Sequence, residues 1–163
     1  MHNTILKSEV FLDHIAIESD NPKKIACFYS KIMMMQTCFV SKNEWHCRGP
    51  NRIVIFEKGI NNKLSYAAFG CKTQAKLNKI RERVFLENIK TKEFHSNYFK
   101  KGSFAIYDYF KNKIVFGIPV RKNFLKKGYY APLQHLTLQS LDITKFIEFY
   151  HKKLGFEISD RVI

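Results

Sequence analysis

The sequence lacks most of the short signatures by which soluble proteins reveal their chemistry. Its four cysteines, Cys27, Cys38, Cys47 and Cys71, form no C-x-x-C pair and no metal-finger spacing. That excludes zinc ribbons and dithiol redox motifs, and leaves free, partly buried thiols of the kind kept in a reducing compartment. No G-x-G-x-x-G or P-loop is present, which excludes the common nucleotide-binding motifs, and no nucleophile elbow or Ser–His–Asp pattern marks a hydrolase. No apolar run approaches the length that spans a bilayer. The opening "MHNTILKSEV" lacks the basic-then-apolar layout of a secretion signal, so a cytoplasmic protein without membrane contact is expected. Acidic residues are scarce: 14 Asp and Glu stand against 28 Lys and Arg, a net charge of +14. The lysines are dispersed ("PKK", "FKKG", "LKKG", "HKKL") and accompany no helix-turn-helix, zinc-finger or RNP pattern. No specific nucleic-acid partner is therefore expected, only nonspecific attraction to polyanions at low salt.

The chain does contain a repeat. Shifted by 121 positions, "HIAIESDNPKKIACFYSKIMM" lies over "HLTLQSLDITKFIEFYHKKLG" without a gap. His14 meets His135, Ser19 meets Ser140, Lys24 meets Lys145, and Phe28–Tyr29 meets Phe149–Tyr150. Both copies share one plan. A short apolar run ("LDHIAIES", "LQHLTLQS") reads as a strand. Asn21 before Pro22, and Asp142 in the later copy, read as helix N-caps. Ile25, Phe28, Tyr29 and Ile32 recur at helical spacing and predict the apolar face of the first helix; Phe146, Phe149, Tyr150 and Leu154 predict that of the last.

The intervening sequence follows the same grammar. "QTCFVSKN", "EWHCRG" and "NRIVIFEKG" read as three strands, with a turn at Gly59, Asn61 and Asn62. "KLSYAAFGC" restarts as a strand, followed by a helix over "TQAKLNKIRERVFLEN" with Leu77, Ile80 and Val84 on one face. "TKEFHS", "GSFAIYDYF" and "NKIVFGIPV" read as three more strands. The expected architecture is α+β: tandem βαβββ modules forming a curved mixed sheet, with an incomplete third module. The expected domains are residues 8–120, containing modules 8–62 and 63–120, a basic linker at 121–132, and the start of a third module at 133–163.

Tandem βαβββ units opening on "H-hydrophobic…D-x₆-FY…LGF" resemble the vicinal oxygen chelate superfamily, which includes glyoxalase I, bleomycin-resistance proteins and type I extradiol ring-cleavage dioxygenases. The resemblance is closest to extradiol dioxygenases of the dihydroxybiphenyl and catechol type, and it covers essentially the whole chain. Those proteins have a two-module N-terminal domain, a linker and a two-module catalytic domain; "EFYHKKLGFEISDRV" resembles the start of the latter. Two departures stand out. "DYFKN" keeps Asp108 but has Tyr109 and Lys111 where the family's turn has proline and glycine, and Met34 occupies the glycine position of the first module's helix end.

The resemblance implies an oxidoreductase that cleaves the ring of catechol-like diols with O₂ at non-haem Fe(II), held by two histidines and a carboxylate. It places the first ligand at His135 and implies a small aromatic substrate and a homo-oligomer. His14 takes the equivalent place in the first module, with Glu57 as its carboxylate companion in a glyoxalase-type alternative. That alternative lacks its second-module ligands, since Tyr66 and Val115 stand where a histidine and a carboxylate would. A divalent metal other than iron, or none at all, belongs to the remaining readings: a glyoxalase-like lyase, or a metal-free binding or resistance protein with a hydrophobic cleft. His2, His46, His95 and His151 read as solvated or structural, and Trp45, Phe104, Tyr107, Tyr109 and Phe110 as packing residues.

A strand–helix–strand ending cannot close a half-barrel, because its apolar helix face and strand edges need a partner. A piece of a protein nearly twice as long, a natural truncation and a domain-swapped dimer are the three expectations this raises.

Overall fold

The computed structural model describes residues 9–120 and 130–158. Most of the expected linker, and the end of the expected third module, lie outside the described residues. Two compact units are present, one built on Leu12–Phe69 with the described part of Val120–His135, the other on Gly70–Pro119 with the described parts of Met1–Phe11 and Leu136–Ile163.

In the first unit, β1 (Val10–Ser19) leads into α1 (Pro22–Met33), followed by β2 (Gln36–Ser41), β3 (Glu44–Gly49), β4 (Arg52–Lys58) and β5 (Lys63–Cys71). The strand order is β2-β3-β4-β1-β5. β1 and β4 are parallel, with His14 opposite Ile53 and Glu18 opposite Glu57; β3 is antiparallel to both β2 and β4. Asn21 caps α1 by accepting from the Lys24 amide at 3.0 Å, and Pro22 occupies the first turn, as the sequence predicts. The turn before β5 is tied to this cap, since the Asn61 side chain accepts from the Asp20 amide at 2.8 Å.

The buried face of α1 differs from the expected one. Phe28 and Ile32 are each 56% exposed, whereas Ala26 is fully buried and the core of this unit gathers Ala26, Met35, Cys47, Val54 and Phe56, with Ile15, Ile17, Ile25, Tyr29 and Trp45 against it. The reason is steric. The helix approaches β3 so closely that the Cys47 thiol donates to the Ala26 carbonyl at 3.4 Å, and only a small side chain fits at that crossing. β2 lies at the end of the strand order, and the run Ile32–Ser41 carries no charged residue.

The second unit contains α2 (Gln74–Leu86), β6 (Lys92–Glu93), β7 (Phe104–Tyr107) and β8 (Lys113–Gly117). β7 pairs antiparallel with both β6 and β8. Leu77, Ile80 and Val84 of α2 are buried as predicted, and Phe104, Ile106, Ile114 and Phe116 share one strand face in the core. The expected strand at 91–96 shrinks to two residues. The "LQHLTLQS" run, expected as a strand, has no regular structure over residues 131–140. Alternating apolar residues favour a strand only when a neighbouring strand satisfies the backbone groups, and this run pairs with no strand among the described residues. Its helix does form: α3 (Ile143–Ile147) is capped by Asp142 and continues as a π-helical stretch, Glu148–Lys153. Phe149, Tyr150 and Leu154 are buried in this unit, as their helical spacing predicts, while Phe146 of the same expected face is half-buried.

Candidate functional site

His14 and Glu57 both belong to the sheet of the first unit. His14 is fully buried on β1, with its Nδ1 2.7 Å from the Asp13 carboxylate. Tyr66 packs edge-on against its ring, with centroids 5.7 Å apart. Glu57, half-buried near the end of β4, accepts a hydrogen bond from the Ser65 hydroxyl at 2.7 Å. The parallel register sets their separation. Ile53 stands opposite His14, and Glu57 lies four residues farther along β4, about 13 Å at a rise of roughly 3.3 Å per residue. The fold therefore puts the two residues on neighbouring strands without bringing them together as a ligand pair.

On the same sheet face, His46 of β3 is buried and its Nε2 lies 2.5 Å from Glu44, while the Arg48 guanidinium contacts the Cys38 sulfur at 2.9 Å. Glu44 stands opposite Glu57, which stands opposite Glu18, so three carboxylates cross this face in a row. Glu18 is held below its ordinary carboxylate range, first by the Ile60 amide it accepts from and then by Lys63. The buried His46–Glu44 pair fits the structural reading of His46, although the pairing itself was not foreseen. Its signal was in the sequence, because Glu-x-His in a strand puts both side chains on one face.

His135 is exposed and lies in the irregular segment rather than in a strand. Val115 is fully buried in the second unit, and Tyr66 is committed to packing on His14. Among the described residues, no three His, Cys, Asp or Glu side chains converge as a metal ion would require. These residues therefore do not make a complete iron site.

The densest polar network lies in the second unit and was missed as a network in the sequence. Asp108 is buried and accepts from the Phe110 amide (2.8 Å), the Asn112 amide and side chain (2.7 Å each) and the Tyr150 hydroxyl (2.9 Å). It thus shapes the β7–β8 turn, in which Lys111 takes a positive φ, and also anchors the last helix. Burial, with the Asp108 carboxylate adding to it, holds the Tyr150 phenol well above its usual range.

No family profile and no curated protein matches the sequence. Solved structures do match. A catechol 2,3-dioxygenase superimposes with a TM-score of 0.74 at 15% identity, over 90% of this chain and 55% of its own. The Mn(II)-bound glyoxalase from Novosphingobium aromaticivorans gives 0.75 at 13% identity, over 93% and 55%. Homoprotocatechuate 2,3-dioxygenase from Arthrobacter globiformis gives 0.73 at 14%, over 93% and 51%. The chain spans about half the length of these structures. At this identity the likeness shows the fold, an α+β arrangement of tandem βαβββ modules of the vicinal oxygen chelate type.

Proposed function

We propose that this chain is part of an extradiol dioxygenase-type protein that opens the ring of catechol-like diols with O₂ at a non-haem Fe(II), and that His135 is one ligand of three. The observation that supports this reading most is the fold likeness over 90% of the chain to a catechol dioxygenase. It is joined by the 121-residue repeat, which sets His135 in phase with His14 at the head of a further module. A facial set of two histidines and one carboxylate leaves positions for both catechol oxygens and for O₂. The described residues supply only the one candidate, so the chain alone is expected to be inactive.

The test is Fe(II)-dependent oxygen uptake with a panel of catechols, using the product of the reading frame followed through and past codon 163. Uptake with a yellow ring-fission product, abolished by His135→Ala, supports the proposal. Uptake unchanged by His135→Ala would overturn it, and so would a frame that supplies no second histidine and no glutamate.

The likeness to a Mn(II)-bound glyoxalase favours a second reading, a glyoxalase-like lyase using His14 and Glu57. Their four-residue offset counts against a shared ion. Mn(II) affinity unchanged by His14→Ala with Glu57→Ala, measured by calorimetry, removes this reading.

A further inference from the structure

We propose that the β6–β7–β8 face of the second unit binds single-stranded nucleic acid without sequence preference. The face opposite Phe104, Ile106, Ile114 and Phe116 is built from two crossed pairs. On β6, Lys92 places its ammonium 5.5 Å from the ring centroid of Tyr107, and on β8, Lys113 places its own 4.8 Å from the ring centroid of Phe94. The register explains the crossing. Lys92 stands opposite Ala105, Lys113 opposite Tyr107, and Ala105 opposite Val115. Two long cationic side chains thus lie over a floor of two small buried ones, with an aromatic ring at either end. Tyr107 remains 41% exposed. The neighbouring Tyr109 is not part of this platform, because its hydroxyl donates to Glu148 and its ring packs on Phe149.

The stretch that builds this face is basic: residues 70–119 contain 11 Lys and Arg against 4 Asp and Glu. Ammonium groups beside the exposed Tyr107 ring and the half-buried Phe94 ring suit a strand whose bases have left the duplex stack: the phosphates meet the lysines and a base stacks on Tyr107. A duplex keeps its base faces covered and offers a ring nothing to stack on. A sulfated polysaccharide offers charge alone. Because no groove-specific hydrogen-bonding motif is present, sequence preference is not expected.

The experiment is fluorescence anisotropy of a labelled 20-nucleotide oligothymidylate titrated with the whole chain at several salt concentrations. The expected result is binding at 50 mM salt that outcompetes a duplex of equal length. Tyr107→Ala weakens it about five-fold or more, while Tyr107→Phe, which keeps the ring, leaves it within about two-fold. Lys92→Gln with Lys113→Gln flattens the log K against log salt slope by about 1.4, the value for two phosphate contacts on a single strand. Lys23→Gln with Lys24→Gln, both exposed on α1 of the other unit, leaves the slope closer to wild type. The side chains replaced at 92, 107 and 113 lie outside the core, and a circular dichroism spectrum checks that each variant folds. The proposal is overturned by an absence of binding at 50 mM salt or by equal affinity for duplex. It is also overturned if Tyr107→Ala has no effect, or if the α1 lysines matter as much as Lys92 and Lys113.

Discussion

Met34 and Gly155 show how much a single position can carry. Shifted by 121 residues they coincide, and both close a helix with a positive φ, 50° at Met34 and 81° at Gly155. A left-handed conformation costs a side-chain-bearing residue roughly 1 kcal/mol or somewhat more, and glycine very little. Met34→Gly is therefore expected to stabilise the fold by about 1 kcal/mol in urea denaturation. Gly155→Ala is expected to destabilise it, because an added Cβ would also stand 3.2 Å from the Arg83 guanidinium carbon. Asp108 is a second such position. Removing its carboxylate in Asp108→Ala leaves the buried Tyr150 hydroxyl and two turn amides without their acceptor, at an expected cost of about 3 kcal/mol. Tyr150→Phe removes only one donor and should cost about 1–2 kcal/mol by the same measurement.

At the scale of the element, the helices were the most legible part of the sequence. Each of the three has a short polar residue whose oxygen accepts from the amide three positions on: Asn21, Thr73 and Asp142. Such caps are written locally, so the sequence shows them directly. Strands β3 and β4 were equally clear, because alternation and turn residues bracket them. What the sequence concealed is decided between elements. The face α1 buries follows from how closely Ala26 meets Cys47, which a count of large apolar residues does not contain. The irregular course of residues 131–140 depends on the neighbours that segment has rather than on its own alternation. The candidate site was legible to the same limited degree: the repeat located His14 and His135, but the offset of Glu57 is a property of strand register. The last helix illustrates the dependence on partners. Arg83 of α2 donates to the carbonyls of Lys152 (2.6 Å) and Lys153 (2.5 Å), satisfying acceptors that a helix end leaves open. Arg83→Met is expected to speed hydrogen exchange at the amides of residues 149–156 while leaving those of β3 and β4 unchanged.

For the whole molecule, pH dependence follows from what burial does to its thiols and phenols. Burial pushes Cys47 and Cys71 up to about 12 and holds Tyr150 above its usual range. In the unfolded chain thiols titrate near ~8.5 and phenols near ~10. Above those values the unfolded state releases protons that the folded state keeps, so stability falls as pH rises. The urea midpoint is expected to hold level up to about pH 8 and to decline between about pH 8.5 and 11, less steeply in Cys47→Ala with Cys71→Ala. By the same logic, a thiol reagent at neutral pH should reach the exposed Cys27 quickly and Cys47 and Cys71 only on unfolding. Among the described residues no helix is long and apolar enough to cross a membrane.

The strand at the end of the first unit's sheet bears on how the protein behaves in a concentrated solution. β2 presents Phe39 (64% exposed) and Val40 (44%) on a segment with no charge to repel a neighbour. Lys42 follows the strand directly, but no lysine lies within β2 itself, where it would blunt the edge most. Crowding should therefore drive molecules together through this one ribbon despite their mutual repulsion, and added salt should hasten the process by screening that repulsion. A Phe39→Lys chain would stay clear by light scattering at concentrations where the parent turns turbid.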